Sequence, residues 1–187
     1  MDQDDAEIIK KYFKGDEKSL EILITRYLKP VYGFVFRYVG NGDEAEDITQ
    51  TVFIKAWRNL KKFDKTKSFK TWIFSVAKNT CIDYLRKKKA IPLSSFENER
   101  GDNPIVNKMK DMGPLPNEVF EQKNFSKVVL LALENLSGQY QTILYLRYKN
   151  NLKFKEIAET LGESINTIKS RHRRAVLELK SKLSDIR

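Results

Sequence analysis

Residues 154–175, FKEIAETLGESINTIKSRHRRA, restrict the fold more than any other stretch of this chain. Ile157, Ala158 and Leu161 recur at helical spacing, Gly162 follows as a residue that tolerates positive φ, and Ser164 stands where it can cap a second helix. The pattern predicts two short helices joined by a glycine turn, a helix-turn-helix. The second helix carries Lys169, Arg171, Arg173 and Arg174 around a narrow apolar seam of Ile168 and Ala175, with Asn166, Thr167 and Ser170 nearer its start. Cations hold phosphates, and a polar N-terminal face can read base edges in a major groove. The competing reading is a solvated amphipathic hairpin whose charge serves solubility.

Charge is unevenly spread along the chain. Of 187 residues, 35 are Lys or Arg and 25 are Asp or Glu, a formal net charge of +10. Residues 1–53 hold 11 acidic and 7 basic side chains, a net of −4, which leaves +14 on the rest. Two electrostatic surfaces imply two kinds of partner. Residues 55–89 alone contain 12 basic and 2 acidic side chains, a patch suited to DNA or to another anionic surface such as a membrane.

Several chemistries find no support. No segment reaches the roughly 18 apolar residues of a spanning helix, and the start MDQDDAEIIKK is acidic rather than signal-like, so the expected location is cytoplasmic with no direct membrane insertion. Cys81 lies among Ile73, Ala77, Ile82 and Leu85 at helical spacing and reads as a buried small side chain. With one cysteine and one histidine, His172, a metal site is not expected. There is no phosphate-binding glycine loop and no nucleophile with a histidine partner, so neither an enzyme nor a cofactor is expected. GNGDEAED at 40–47 lacks the alternating oxygen ligands of a calcium loop.

Residues 90–117 hold Pro92, Pro104, Pro114 and Pro116, four of the five prolines, with little apolar periodicity. They predict a flexible linker, and the fold class is all-α: two small helical domains, 1–89 and 118–187, the C-terminal one containing the helix-turn-helix. In the N-terminal half Leu20, Leu23, Ile24, Tyr27, Val31, Phe34, Val35 and Tyr38 form one apolar stripe, and Ala45, Ile48, Val52, Phe53, Ala56, Trp57 and Leu60 another. Asp43 and Glu46 suggest a capping box at the start of the second helix. Its outer face offers Asp47, Gln50, Thr51 and Ile54, which by default faces solvent. Beyond Leu60, lysines alternate with Phe63, Phe69, Trp72 and Phe74; such a loop, with Ser68 to cap the next helix, suits single-stranded DNA as well as simple core stapling.

The strings ITRYLKPVYGFVFRYVGNGDEAEDITQTVFIKAW and FKTWIFSVAKNTCIDYLRK resemble the first conserved domain of bacterial sigma factors. LRYKNNLKFKEIAETLGESINTIKSRHRRAVLELK is similar to the other conserved domain, and two domains without an intervening one resemble the extracytoplasmic-function group. The resemblance implies an initiation factor that directs core RNA polymerase to promoter DNA, often held by an anti-sigma factor. It assigns Asp47, Gln50, Thr51 and Ile54 to the polymerase; Lys65, Lys67, Phe69, Lys70, Trp72, Asn79, Arg86 and Lys87 to the −10 element; and Asn166, Thr167, Lys169, Ser170, Arg171, Arg173 and Arg174 to the −35 element. Four positions depart from the family pattern: Thr51 replaces a common acid, Lys153 a capping Ser or Thr, Glu163 an apolar turn residue and His172 a leucine. Outside the family, the alternative is a two-domain repressor or activator that binds duplex DNA without polymerase.

Overall fold

The computed structural model describes residues 4–64, 66–89 and 127–184. The proline-rich segment 90–117, the start of the expected C-terminal domain at 118–126, and Lys65 lie outside the described residues. Those described form helices and turns with no strand among them, in agreement with the all-α expectation.

Four helices make the N-terminal half: α1 Asp5–Tyr12, α2 Lys18–Val39, α3 Gly42–Asn59 and α4 Phe69–Lys89. The first was not foreseen beyond its acidic character. Ile8 and Ile9 are fully buried, and Asp5 bonds to Arg26 at 2.5 Å and accepts from the Tyr27 hydroxyl, fixing α1 against α2. Both apolar stripes face inward, and Phe34 packs edge-on against Phe74 of α4 with ring centroids 5.3 Å apart.

The corner between α2 and α3 is set by Gly40, whose φ of 70° closes α2 with its amide on the Phe36 carbonyl. Asn41 then caps α3, its side-chain oxygen accepting from the Glu44 amide at 3.0 Å. This corrects the expectation of a capping box at Asp43 and Glu46: with Gly40 turning the chain so sharply, the helix starts earlier, and Asp43 falls within the first turn. Ser68 caps α4 as anticipated, accepting from the Thr71 amide at 3.3 Å.

The C-terminal half comprises α5 Lys127–Glu134, α6 Gly138–Leu144, α7 Phe154–Leu161 and α8 Ile165–Ser184. Between α6 and α7 the helix widens into a π turn, Tyr145–Lys149. Asn150, 6 % exposed, closes it: its amide and its side-chain nitrogen both donate to the Tyr145 carbonyl, at 3.1 and 3.2 Å.

The sequence treats the halves separately; the structure joins them. One apolar cluster runs from Ile8, Phe34 and Phe74 to Leu146, Ile157 and Ile168, while a smaller one, Leu136, Leu144 and Ala175, lies under α5 and α8. Each half is short of core on its own, and shared burial makes up the deficit.

Candidate nucleic-acid interface

On α3, Ala45, Ile48, Val52 and Ala56 are buried, which turns the opposite face outward. Asp47, Gln50, Thr51 and Ile54 are all exposed on it at one-three-four spacing, so they form a continuous strip. Thr51 donates its hydroxyl to the Asp47 carbonyl at 3.0 Å. Ile54, 51 % exposed, is the large apolar side chain in this polar strip. The strip lies beside ion pairs joining α3 to α4, Glu44 with Lys88 and Lys55 with Asp83.

The loop entering α4 is braced by Asp64, which accepts from the amide and hydroxyl of Thr66 at 3.0 and 2.7 Å; these bonds hold its carboxyl below the ordinary range. Phe69 is 6 % exposed, with its ring 5.3 Å from Tyr27, 5.6 Å from Phe63 and 5.5 Å from Trp72. Its place is in the core. Trp72 is half-buried and reaches a hollow of about 380 Å³ between α3 and α4, lined also by Lys55, Asn59, Lys62, Val76, Asn79 and Thr80. Asn79, Arg86 and Lys87 are exposed along α4, and Lys67 and Lys70 project toward the C-terminal half. Asn59 and Lys62 were missing from the sequence-based set. They lie at the end of α3 and in a 3-10 turn, Leu60–Lys62, where no periodicity points to a shared hollow with α4.

The helix-turn-helix is α7, the Gly162 turn and α8. Gly162 has φ 67°, and Ser164 accepts from the Thr167 amide at 3.1 Å. With Ile168 and Ala175 fully buried, Asn166, Lys169, Ser170, Arg173 and Arg174 point outward. Thr167 is half-buried beside Ser164, their hydroxyls 2.8 Å apart, and Arg174 donates to the Ser170 hydroxyl at 3.2 Å. Arg171 is held by Glu163 at 2.6 Å with side-chain exposures of 12 % and 26 %, so the acidic turn residue has a specific partner. The helix start at Lys153 is also defined, because the Glu156 carboxylate accepts from the Lys153 amide at 2.6 Å. His172 packs edge-on against Phe154 and shares a hydrogen bond with the Tyr148 hydroxyl at 3.0 Å. Burial first, then the nearby Arg147 charge, lowers its pKa below the ordinary histidine value.

Two segments match known families in chain order: residues 23–91 match Sigma-70 region 2, and residues 126–179 match Sigma-70, region 4. The chain is 31 % identical over 179 residues to the ECF RNA polymerase sigma factor SigW of Bacillus subtilis, covering 95 % of this chain and 96 % of that one. It belongs to the ECF sigma factors. It is also 28 % identical to the ECF RNA polymerase sigma-E factor of Haemophilus influenzae, across 97 % of this chain and 96 % of the relative.

Two solved structures share the fold of this sigma factor. One is CnrH in complex with the cytosolic domain of CnrY, with TM-score 0.62, 18 % identity and 97 % of each chain covered. The other is the sigma factor RpoE in complex with the anti-sigma factor NepR from Bartonella quintana, with TM-score 0.66, 22 % identity, and 91 % of this chain and 99 % of that one covered. A sigma factor brings RNA polymerase to promoter DNA to initiate transcription, so the function read from the sequence stands. Among the described residues no helix is long and apolar enough to cross a membrane.

Proposed function

We propose that this sigma factor divides promoter reading between its two halves, 1–89 and 118–187, and leaves all chemistry to the polymerase. The α3 strip of Asp47, Gln50, Thr51 and Ile54 docks on core enzyme. The single observation that carries this is Ile54, an apolar side chain 51 % exposed in the middle of a polar face, where burial against a partner gains what solvent exposure forgoes. Trp72 and Asn79, with Asn59 and Lys62, receive an unstacked base of the −10 element, while Lys65, Lys67, Lys70, Arg86 and Lys87 hold its backbone. Phe69 acts from beneath by fixing the Trp72 ring.

Asn166, Lys169, Ser170, Arg173 and Arg174 read the −35 element, joined by Thr167 and by Arg171 at the protected edge of α8. The segment 90–117 tethers the halves, so that a weak site in one raises the effective concentration of the other. The factor works in the cytoplasm. Its natural antagonist is an anti-sigma factor, a reading supported by likeness in fold to a sigma factor solved with such a partner.

Run-off transcription with purified core polymerase tests the function: promoter-dependent transcripts are expected, and their absence from every genomic fragment would overturn it. A pull-down from cells tests the antagonist; recovery of polymerase alone would count against one.

A further inference from the structure

Tyr148 and His172 form a pair that none of the roles assigned above uses. Tyr148, on the π turn, is 63 % exposed, and its hydroxyl lies 3.0 Å from Nε2 of His172. His172 stands on the recognition helix between Arg171 and Arg173. From the other side Phe154, the first residue of α7, meets the imidazole edge-on with ring centroids 5.0 Å apart. In a helix-turn-helix the second helix enters the major groove while the first crosses the backbone. The pair therefore sits at the start of the crossing helix, beside the path of a phosphate strand. Exposed Lys149 and Lys153 adjoin Tyr148 and Phe154 in sequence, and exposed Lys169 lies a turn before His172, so the surroundings are cationic.

The charged group that faces the imidazole from the π turn is Arg147. Phe154 of α7 brings no charge, and Glu156 behind it is bonded to the Lys153 amide. The α5 and α6 side meets α8 through the apolar cluster of Leu136, Leu144 and Ala175. On α8 itself the neighbours are Lys169, Arg171 and Arg173. Burial first, then Arg147, thus favours the neutral ring in the free chain.

A tyrosine hydroxyl has a single proton, and a phosphodiester oxygen only accepts. When Nε2 is bare, Tyr148 donates to the ring and turns lone pairs alone toward DNA. When Nε2 carries a proton, the ring donates to the Tyr148 oxygen and the hydroxyl proton is free to reach a phosphate. The neutral ring meets that condition in one tautomer, whereas imidazolium meets it always.

We propose that Tyr148 contacts a backbone phosphate beside the −35 element and that His172 is its positioning residue, donating from Nε2 to the Tyr148 oxygen so that promoter binding takes up a proton. The proposal rests on the −35 reading of α8. Phosphate held through Tyr148 stabilises the charged ring, so the complex binds more protons than the free factor, and affinity rises as pH falls. A purely structural His172 gives the opposite sign, because protonation strains the free fold.

Fluorescence anisotropy of reconstituted holoenzyme on a promoter fragment that supports run-off transcription tests this. Between about pH 7.5 and pH 5.5 the unmodified factor should gain at least about threefold in affinity over both Tyr148→Phe and His172→Gln. Tyr148→Phe keeps the ring and loses the hydroxyl; His172→Gln keeps an amide donor but cannot titrate. Neutral methylphosphonates placed one at a time along the −35 backbone then locate the contact. At one position the replacement should weaken unmodified holoenzyme and weaken Tyr148→Phe no further. Thermal melts check folding, and should His172→Gln unfold, Tyr148→Phe with the methylphosphonate series decides alone. Lys169→Ala separates the two readings. If it weakens binding while Tyr148→Phe shows neither the lost pH gain nor a coupled phosphate, this proposal alone is overturned. If Lys169→Ala and Tyr148→Phe both leave binding unchanged, the −35 assignment of α8 falls and takes the proposal with it.

Discussion

The Glu163 carboxylate lies 2.6 Å from the Arg171 guanidinium, linking the turn of the helix-turn-helix to the middle of its second helix. An arginine so held is positioned but partly neutralised. Glu163→Gln should therefore strengthen binding of −35 duplex by the holoenzyme and increase the magnitude of the salt slope by about one counterion. Fluorescence anisotropy across a salt series measures this; an unchanged slope would mean that Arg171 serves the turn alone.

Ile54 separates docking from folding. Because it is 51 % exposed, Ile54→Glu should alter stability by no more than about 0.5 kcal/mol. Its affinity for core polymerase should fall by about 2 kcal/mol, near thirtyfold, if the strip is an interface. Competition binding against the unmodified factor, with urea unfolding as the control, checks both halves of this expectation.

Phe69 and Trp72 should part company in the same way. Removing the buried ring by Phe69→Ala is expected to cost about 3–5 kcal/mol of stability. Trp72→Ala, at a half-buried ring lining the hollow, should lose less stability and more promoter opening, read by permanganate footprinting of the −10 element. Equal loss of opening and stability in both variants would place Trp72 in the core as well.

Asn41→Ala should destabilise the N-terminal half by about 1 kcal/mol through loss of the α3 cap, whereas Asp43→Ala should cost only the smaller helix-dipole contribution. Urea denaturation of the two variants distinguishes them. A larger loss at Asp43 would restore the cap to the position first expected.

His172 introduces a pH dependence with a definite sign. Its folded pKa lies below the ordinary value of 6.5, so over the window beneath that value the unfolded chain takes up a proton more readily than the folded chain. The imidazole's contribution is thus complete above the unfolded pKa and diminishes as pH falls through 6.5 toward the folded pKa. Between about pH 7.5 and pH 5.5 the thermal midpoint should fall further for the unmodified protein than for His172→Leu. Parallel falls would assign the acid sensitivity elsewhere.

Helical periodicity exposed the stripes on α2 and α3, and with them the outward strip, because a side chain's face follows directly from its spacing. The glycine turn and the Ser164 cap were legible for the same reason: local chemistry decides them. Phe69 shows where this stops. Its neighbours in sequence are lysines, yet its environment comes from Tyr27 and Phe63, so a base-facing aromatic and a core aromatic have the same local signature. Arg37 is the stronger case, since a cation on an apolar stripe gives no hint that a tyrosine from the far half will lie against it. Asn59 and Lys62 joined the hollow only once α3 and α4 were packed.

The π turn at Tyr145–Lys149 also acts as an angular buffer. A π turn holds one residue more than the α-helical turn it replaces, yet each completes one circuit of the helix axis. Deleting a single residue there would regularise the backbone and leave what lies beyond it at nearly the same bearing around α6. The surplus residue adds girth rather than rotation, and Asn150 closes the widened turn with its two bonds to the Tyr145 carbonyl.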